Sequence, residues 1–525
     1  MKNLNTNHHS NYWVFVFMIL ILLYLMVGTG LHGDDYSVIR PWHEANFFIL
    51  TPENIGLKIF GIPDYFAFWW VYLSLGHNYQ WAYDILKCVI HISSIYMAWR
   101  FFSLYFINSK RALAASIFFT LLPLHETTTY WYMTASYIFW PSVIMFSFYF
   151  FFKNKLKLGF ILGTLGAFSG YVSPPYIFGL SVIFFRRKEY FKGLIFIIPG
   201  IFYIIYYFYI KIVFPFAEKR INPDLDLLLF FKGMIIQIFG VFDSFIGPSA
   251  FIKLYYAALS VGLLSLSIAM LILFIMLHQF KQLNIKERSK YKESRFHDLL
   301  IGATSVLILS MAMFSLTGLY APSPFNLGNR SLVYGSILVA SLLASFSINR
   351  FNLVVIWILF IIPTFGLSDH WKSWNDKQLN ILFNISSHKE FSYLKANDTL
   401  IVTGQIYNKL GPFSHIEFFS MPWVVNSIFR DFAGVEHAIS INQTIYLDGD
   451  LLKDEKFGLN YKITGKIYIY DCDRNTVQSG TFEDIRNLII YRTPEIRHWI
   501  QLMKGSFIEK LILTLSPRLN YLFVK

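Results

Sequence analysis

Long apolar runs alternate with short polar segments along residues 1–367 of the chain. Most of these runs approach the roughly 20 residues that an α-helix needs to cross a bilayer. Because a surface helix of a soluble protein shows polar residues on one face, uninterrupted runs of this kind indicate membrane spans. The pattern predicts about eleven spans. They cover residues 13–31, 82–106, 112–124, 135–152, 158–171, 176–185, 193–214, 252–277, 299–319, 331–346 and 353–367.

Basic residues concentrate in the short segments between alternate runs, at 110–111, 153–157, 186–192 and 281–295. Cytoplasmic loops are enriched in Lys and Arg, so this distribution predicts an N-terminus in the cytoplasm. It also accounts for most of the formal net charge of +13 without a nucleic-acid partner. The predicted outer loops are 32–80, 125–134, 215–250 and 320–330, and the third of them contains a predicted half-buried helix, 227–245.

The first run, 13–31, has a second interpretation as a cleaved signal peptide, because Gly28, Thr29 and Gly30 are small residues near its end. Its apolar core is longer than that of an ordinary signal peptide, which favours an uncleaved anchor.

The composition of the whole chain also indicates a membrane protein. The 525 residues are 55% hydrophobic and only 15% charged, with a mean hydropathy of +0.46, which is too apolar for an ordinary soluble domain.

Residues 368–525 have ordinary polarity and predict a separate extracytoplasmic domain. Segments 399–402, 439–446 and 461–470 have the composition or alternation of strands, and 495–503 and 507–515 are predicted helices. We therefore expect an all-α polytopic membrane domain, 1–367, followed by a small α/β domain. No metal-ligand spacing or nucleophile motif stands out in this tail, so we expect a lid or acceptor-docking role.

An adjacent pair of carboxylates, Asp34 and Asp35, follows directly on the first predicted span. At the boundary between lipid and water, such a pair is well placed for proton transfer on a lipid-carried substrate. The alternative is that the two acids only mark where the helix leaves the bilayer, since two-residue motifs are frequent by chance.

Two further outer segments carry candidate chemistry. His125 and Glu126 are ionisable residues at the end of a predicted span, where such residues tend to be functional, and the nearby Trp131 is of the kind that stacks on sugar rings. An aromatic belt at the membrane surface is the alternative for the aromatic residues. Arg330 stands at an outer helix end. It suits either a head-group anchor or a bidentate ligand for a substrate phosphate.

These features together resemble the GT-C glycosyltransferases, which are polytopic enzymes that use polyprenyl-phosphate sugars on the outer face of the membrane. The shared features are the acid pair after the first span, an acidic second outer loop, an Arg at a late outer helix end and a C-terminal outer domain. The His-Gly-Asp-Asp sequence and the chain length resemble most the bacterial and phage O-antigen glucosyltransferases that change serotype by modifying lipopolysaccharide.

The resemblance implies that Asp34 or Asp35 is the catalytic base. Asp35 is preferred, because it is nearer to the interfacial segment that follows and so could reach the acceptor more easily. Glu126 matches the acid of the second outer loop, with His125 and Trp131 as sugar contacts, and Arg330 matches the phosphate-binding cation, assisted by Lys219 or Arg220. A divalent cation near the two acids stays open. The implied activity is inverting transfer of a sugar, glucose in the first instance, from a polyprenyl-phosphate donor to a lipid-linked glycan such as O-antigen.

The implied location is the bacterial inner membrane, with the C-terminal domain in the periplasm and with donor-synthesising and flipping proteins as partners. A polysaccharide polymerase and a glycolipid transporter are the alternatives. A polymerase would be expected to use Arg-rich outer loops, and a transporter to show internal repeats and charges at the membrane midplane.

Overall fold

The computed structural model describes residues 6–44, 63, 67–68, 70–170, 172–213, 221, 226–281, 293–317, 322–346, 350–404, 407–454, 458–492, 495–496 and 498–515. The chain is mostly helical, with a small region of β-sheet near its C-terminus. It divides into two compact units. The first comprises Met1–Thr29, Asn46–Leu75 and Tyr79–His370, and the second comprises Gly30–Ala45, Gly76–Asn78 and Trp371–Lys525.

The first unit is built from helices. Its α-helices are Thr6–Met26, Trp70–Leu75, Gln80–Phe102, Ser109–Thr120, Thr127–Tyr130, Ser136–Phe152, Leu156–Ala167, Ser173–Arg186, Tyr190–Val213, Leu227–Phe245, Pro248–Leu259, Leu263–Lys281, Glu293–Thr317, Val333–Ser345 and Arg350–Ile356. Short 3₁₀ turns lie at Pro123–His125, Tyr132–Thr134 and Asn326–Leu332. A π-helical turn, Trp357–Ile361, leads into the helix Ile362–Ser387, which continues into the second unit.

Six helical stretches among the described residues are long and apolar enough to cross a membrane. They are Gln80–Phe102, Tyr132–Phe152, Tyr190–Ile210, Leu227–Leu259, Arg295–Thr317 and Arg350–Ser387. The chain is therefore a polytopic membrane protein by the length and composition of its helices, but the predicted count of about eleven spans is not confirmed. Several of the predicted spans form helices that are too short to cross a bilayer. The helix Ser109–Thr120, for example, has 12 residues, so it is about 18 Å long, whereas the hydrocarbon core is about 30 Å thick.

One predicted segment differs in form from the sequence expectation. The predicted span 252–277 is not one helix, because it breaks between Pro248–Leu259 and Leu263–Lys281. At the break, the Gly262 N–H donates to Asp369 Oδ2 over 2.8 Å, and the Ser265 hydroxyl donates to Asp369 Oδ1 over 2.7 Å. The helix Leu227–Phe245 has the predicted bounds and forms part of the candidate span Leu227–Leu259.

A glycine stripe brings two helices of the first unit together. Gly159, Gly163 and Gly166 lie along the helix Leu156–Ala167, which packs on Ser136–Phe152. A Cβ at Gly159 would lie 2.6 Å from the Phe151 ring, and one at Gly166 would lie 2.7 Å from Ile144 Cγ1. Small residues are needed here because helices in a membrane gain from close van der Waals packing rather than from the hydrophobic effect.

The second unit contains the sheets. Its strands are β1 Thr399–Thr403, β2 Tyr407–Leu410, β3 Phe413–Glu417, β4 Ala438–Ser440, β5 Ile445–Asp448, β6 Leu451–Asp454, β7 Leu459–Lys462, β8 Ile467–Asp471 and β9 Thr476–Gly480. The main sheet has the order β4-β1-β8-β9, in which β1 is parallel to both β4 and β8, and β8 is antiparallel to β9. A β2-β3 hairpin and a three-stranded β5-β6-β7 sheet complete the unit.

The predicted strand 399–402 is confirmed, whereas 439–446 and 461–470 each divide into two strands. The first divides at Asn442, whose side-chain oxygen accepts from the Thr444 N–H and hydroxyl, both over 2.9 Å, and so forms a local turn. The second divides near Gly465, whose φ of +59° suits glycine. Of the predicted tail helices, 507–515 is a helix, and the described residues of 495–503 contain the 3₁₀ turn Trp499–Met503 in place of an α-helix.

The helices of the second unit are Asp34–Glu44, Pro422–Ala433, Phe482–Ile490 and Phe507–Leu515, together with the end of Ile362–Ser387. An aliphatic core includes Ile401, Ile439 and Ile469 from the main sheet. The helix Asp34–Glu44, which follows the first apolar run, packs on Pro422–Ala433. The predicted acid pair therefore belongs structurally to the sheet-containing unit.

Candidate functional site

The segment that leads to the acid pair depends on glycine. Gly30 and Gly33 have φ angles of +63° and +47°, in the left-handed region that L-residues with side chains avoid. A Cβ at Gly30 would lie only 2.2 Å from Asn375 Oδ1, which belongs to the helix Ile362–Ser387. Backbone and helix are therefore too close at this point for any side chain.

Asp35 has a structural environment. Its side chain is fully buried, and Oδ2 accepts from the His32 N–H over 2.9 Å. This bond occupies a backbone donor just before the first turn of the helix Asp34–Glu44, as a capping carboxylate does. The expected reach of Asp35 toward an acceptor is not supported, because its carboxylate points into the protein and stabilises the helix start.

Asp34 is the more accessible of the two acids. Its side chain is half-buried, and Oδ1 accepts from the indole N–H of the half-buried Trp423 over 3.0 Å. Trp423 is the second residue of the helix Pro422–Ala433. The indole N–H therefore orients the Asp34 carboxylate within the second unit.

His32 joins the acid-bearing segment to the helix Ile362–Ser387. The Gln378 amide nitrogen donates to Leu31 O over 3.2 Å and lies 2.8 Å from His32 Nδ1. The His32 ring meets Trp371 edge-on, with centroids 4.6 Å apart. Both contacts fix the backbone that precedes Asp34.

Glu126, predicted as the acid of the second outer loop, forms a buried ion pair in the first unit. Lys253 donates to Glu126 Oε2 and to Pro324 O, and Asn329 Nδ2 donates to Glu126 Oε1 over 3.0 Å. Asn329 also accepts from the Thr127 hydroxyl. The pair thus connects the segment after Ser109–Thr120, the helix Pro248–Leu259 and the segment that carries Arg330.

His125 is fully buried, with both ring nitrogens in hydrogen bonds. Nδ1 lies 2.9 Å from the Thr128 hydroxyl, and Nε2 lies 3.0 Å from Phe119 O. Burial lowers the pKa of His125 to about 4, because the charged ring would lose its hydration. Trp131 is also buried, and its indole N–H has no partner among the described residues. Neither side chain presents a face for a sugar in this arrangement.

Arg330 is half-buried, and its guanidinium carbon lies 5.4 Å from the centroid of the Tyr137 ring. Stacking on an aromatic ring holds a guanidinium flat while leaving its edge for hydrogen bonding. Arg330 is thus a half-buried cation next to the buried Asn329. Lys219 and Arg220, the predicted auxiliary cations, lie outside the described residues.

The sequence prediction did not include a second buried ion pair, Asp84 with Lys87, at 2.8 Å in the span Gln80–Phe102. Asp84 Oδ2 accepts from the Gly28 N–H over 2.7 Å, and Lys87 donates to the Thr29 hydroxyl over 2.6 Å and to Tyr130 O over 2.8 Å. The signal that reveals it is two opposite charges three residues apart inside an apolar run, since such charges are rarely incidental.

The divalent cation that the resemblance leaves open would need a cluster of ligands near Asp34 and Asp35. In the described parts of the chain, no three His, Cys, Asp or Glu side chains lie together in a way that could hold a metal ion. Asp34 and Asp35 instead bind an indole and a backbone N–H.

No protein family, curated protein or solved structure matches the chain.

Proposed function

We propose that this chain is a membrane glycosyltransferase. In the proposed reaction it moves a sugar, glucose in the first instance, from a polyprenyl-phosphate donor to a lipid-linked glycan such as O-antigen on the outer face of the bacterial inner membrane. The observation that carries the proposal is the half-buried Asp34 carboxylate, which Trp423 holds at the start of a helix in the second unit. A positioned carboxylate with access to solvent suits the deprotonation of a sugar hydroxyl.

In the proposed reaction, an acceptor hydroxyl attacks C1 of the donor sugar from the face opposite the phosphate. Its proton passes to Asp34, a new C–O bond forms, and the bond from C1 to the phosphate oxygen breaks with its electron pair on the leaving lipid phosphate. One displacement inverts the anomeric carbon. Asp35 is the positioning residue in this scheme, because it holds the backbone on which Asp34 stands.

Arg330 is the proposed ligand of the donor phosphate. Its guanidinium can make two parallel charge-assisted bonds to phosphate oxygens, which a lysine cannot match. The buried Glu126 is assigned to the framework of the Arg330 segment rather than to contact with the sugar, because Lys253 and Asn329 occupy both of its oxygens.

The test uses purified full-length protein in lipid vesicles with polyprenyl-phosphate glucose and lipid-linked glycans, and identifies products by mass. Asp34→Asn is nearly isosteric but cannot accept the proton, so turnover is expected to fall roughly a hundredfold to ten-thousandfold while donor binding persists. Asp35→Asn is the matched comparison. It should act on protein stability, because the altered group is buried at a helix start.

Full turnover in a well-folded Asp34→Asn protein would remove the proposed base. The products separate the remaining classes of function. Extension of the glycan by whole repeat units would indicate a polymerase, and movement of the sugar lipid across the vesicle without a new glycosidic bond would indicate a transporter. The buried Asp84–Lys87 pair in a span is the feature that would then need a transport role.

A further inference from the structure

The helix Phe507–Leu515 in the second unit has an exposed apolar face, formed by three large side chains. Phe507, Ile508 and Leu511 are 76%, 41% and 50% exposed. Leu511 follows the other two by four and three positions, so all three side chains lie on one side of the helix. Single exposed apolar side chains are common on protein surfaces, whereas neighbouring ones on one face indicate an interaction surface.

The first turn of this helix holds its acidic residue away from the apolar face. Ser506 Oγ accepts from the Glu509 N–H over 3.4 Å, and the Glu509 carboxylate accepts from the Gly505 N–H. Both bonds lie at the helix N-terminus, where a carboxylate is favoured. Glu509 follows Phe507 by two positions, which is about 200° around the helix axis. It is the last acidic residue in the sequence.

Two lysines flank the apolar face. Lys504 and Lys510 are exposed, and neither forms an ion pair within the described part of the chain. Lys510 lies only about 60° around the helix axis from Phe507. From Lys504 to the C-terminus, the sequence contains four basic residues and one acidic residue. An apolar face with positive charge at its edge is complementary to a bilayer surface that contains anionic lipids.

The membrane spans of the chain bring a bilayer within reach of this helix. The last candidate span, Arg350–Ser387, continues into the second unit. A short helix with an apolar face and a basic edge can lie in the membrane surface, with its apolar side chains at the boundary of head groups and acyl chains. A second copy of the chain is a poorer partner, because pairing the same face of two copies would bring the lysines of both together.

We propose that the helix Phe507–Leu515 docks its apolar face on the bilayer surface, with Lys504 and Lys510 against anionic lipid head groups. Docking removes large apolar side chains from water, which is the main favourable term. The two lysines add an attraction that depends on lipid charge and on salt. The docking does not depend on the proposed sugar transfer, and its test involves no turnover.

The test places a fluorophore on this face in the full-length protein, in nanodiscs that hold one copy each. Leu511→Cys carries the environment-sensitive label NBD, and Ser479→Cys on the exposed side of strand β9 is the control in the same unit. Both native cysteines are buried, so the introduced thiol is labelled selectively, with wild type as the background. Nitroxide groups on the acyl chains quench a label that contacts lipid. The lipid is phosphatidylcholine with or without phosphatidylglycerol.

Nitroxide lipids should quench the label at residue 511 and not the label at residue 479. Quenching at residue 511 should increase with phosphatidylglycerol and decrease with salt. Lys504→Gln combined with Lys510→Gln should weaken docking on phosphatidylglycerol nanodiscs roughly 25-fold, about fivefold for each lysine. The matched control is Lys462→Gln combined with Lys466→Gln, which alters two other exposed lysines of the second unit and should leave docking unchanged.

Three results would overturn the proposal, and two of them identify another partner. Blue-shifted emission at residue 511 without quenching by lipid assigns the apolar face to another part of the same chain. Water-like emission in nanodiscs that becomes blue-shifted only in vesicles with several copies assigns it to a second copy. Quenching that is independent of phosphatidylglycerol, or that the control pair reduces equally, removes the role of Lys504 and Lys510.

Discussion

Trp423→Phe tests whether an indole hydrogen bond positions the proposed base. In the structure, Trp423 donates to Asp34 Oδ1 over 3.0 Å, and the partners lie 389 positions apart in the chain. Phenylalanine keeps most of the aromatic surface but has no N–H. The substitution therefore removes the bond that orients the carboxylate and changes the packing little.

The size of the effect follows from the charge and exposure of the partners. A hydrogen bond to a charged group contributes about 1.5–3 kcal/mol. Both side chains are half-buried, so solvent screening places the value near the lower limit. About 1.4 kcal/mol corresponds to a tenfold change in rate, so kcat should fall roughly tenfold. KM should stay nearly constant, because the lost interaction serves the reacting base.

The assay is glycosyl transfer in vesicles measured as a function of pH. An N–H donor favours the ionised carboxylate, so its removal should move the acidic limb of the pH–rate profile to higher pH. A packing defect alone would lower the rate without moving this limb. Trp99→Phe serves as the control, because its indole N–H has no partner among the described residues. An unchanged kcat together with an unchanged acidic limb would refute a positioning role for Trp423.

Three further predictions concern the first unit. Arg330→Lys keeps the charge but loses the planar fork, so KM for the donor should rise about tenfold or more, whereas Arg187→Lys, which alters another ring-stacked arginine, should not change it. Glu126→Gln should destabilise the protein by about 3–5 kcal/mol by leaving Lys253 buried without its counter-ion. Combining it with Lys253→Met should recover much of the loss in thermal unfolding, and equal stability of wild type and Glu126→Gln would contradict the buried pair. The pKa of His125 is lowered from 6.5 to about 4, so the unfolded chain binds the proton first as pH falls. Stability should therefore decrease by about 3 kcal/mol between pH 6.5 and 4 in wild type relative to His125→Gln, and parallel pH curves for the two proteins would contradict this.

The apolar runs predicted most helices because length and continuity of hydrophobic residues are local properties of the chain. The helix Leu227–Phe245 has its predicted bounds for this reason. The change in composition after residue 367 predicts a domain boundary, but the helix Ile362–Ser387 continues beyond it. The composition of a helix depends on its surroundings. Its backbone hydrogen bonds are local, so the helix can continue where the composition changes.

The partners of the candidate residues could not be predicted from one sequence. Asp34 and Asp35 were identified from their position after a span, but nothing local indicates that Trp423 contacts the first while a backbone N–H occupies the second. Glu126 lies where an active-site acid is expected, and it is the distant Lys253 and Asn329 that give it a structural role. Chemistry of this kind depends on which distant segments meet, which the periodicity of a single chain does not encode.

The π-helical turn Trp357–Ile361 has a consequence for the helix break at Gly262. A π turn contains one more residue than an α turn. One added residue rotates everything that follows it on an α-helix by about 100°. The turn therefore sets the angular phase of Asp369, which accepts from the Gly262 N–H and the Ser265 hydroxyl, relative to residues that precede it, such as the buried Leu353. A one-residue deletion that converts this turn to α-helix would rotate Asp369 away from both donors, and one residue inserted between the turn and Asp369 would restore the contacts.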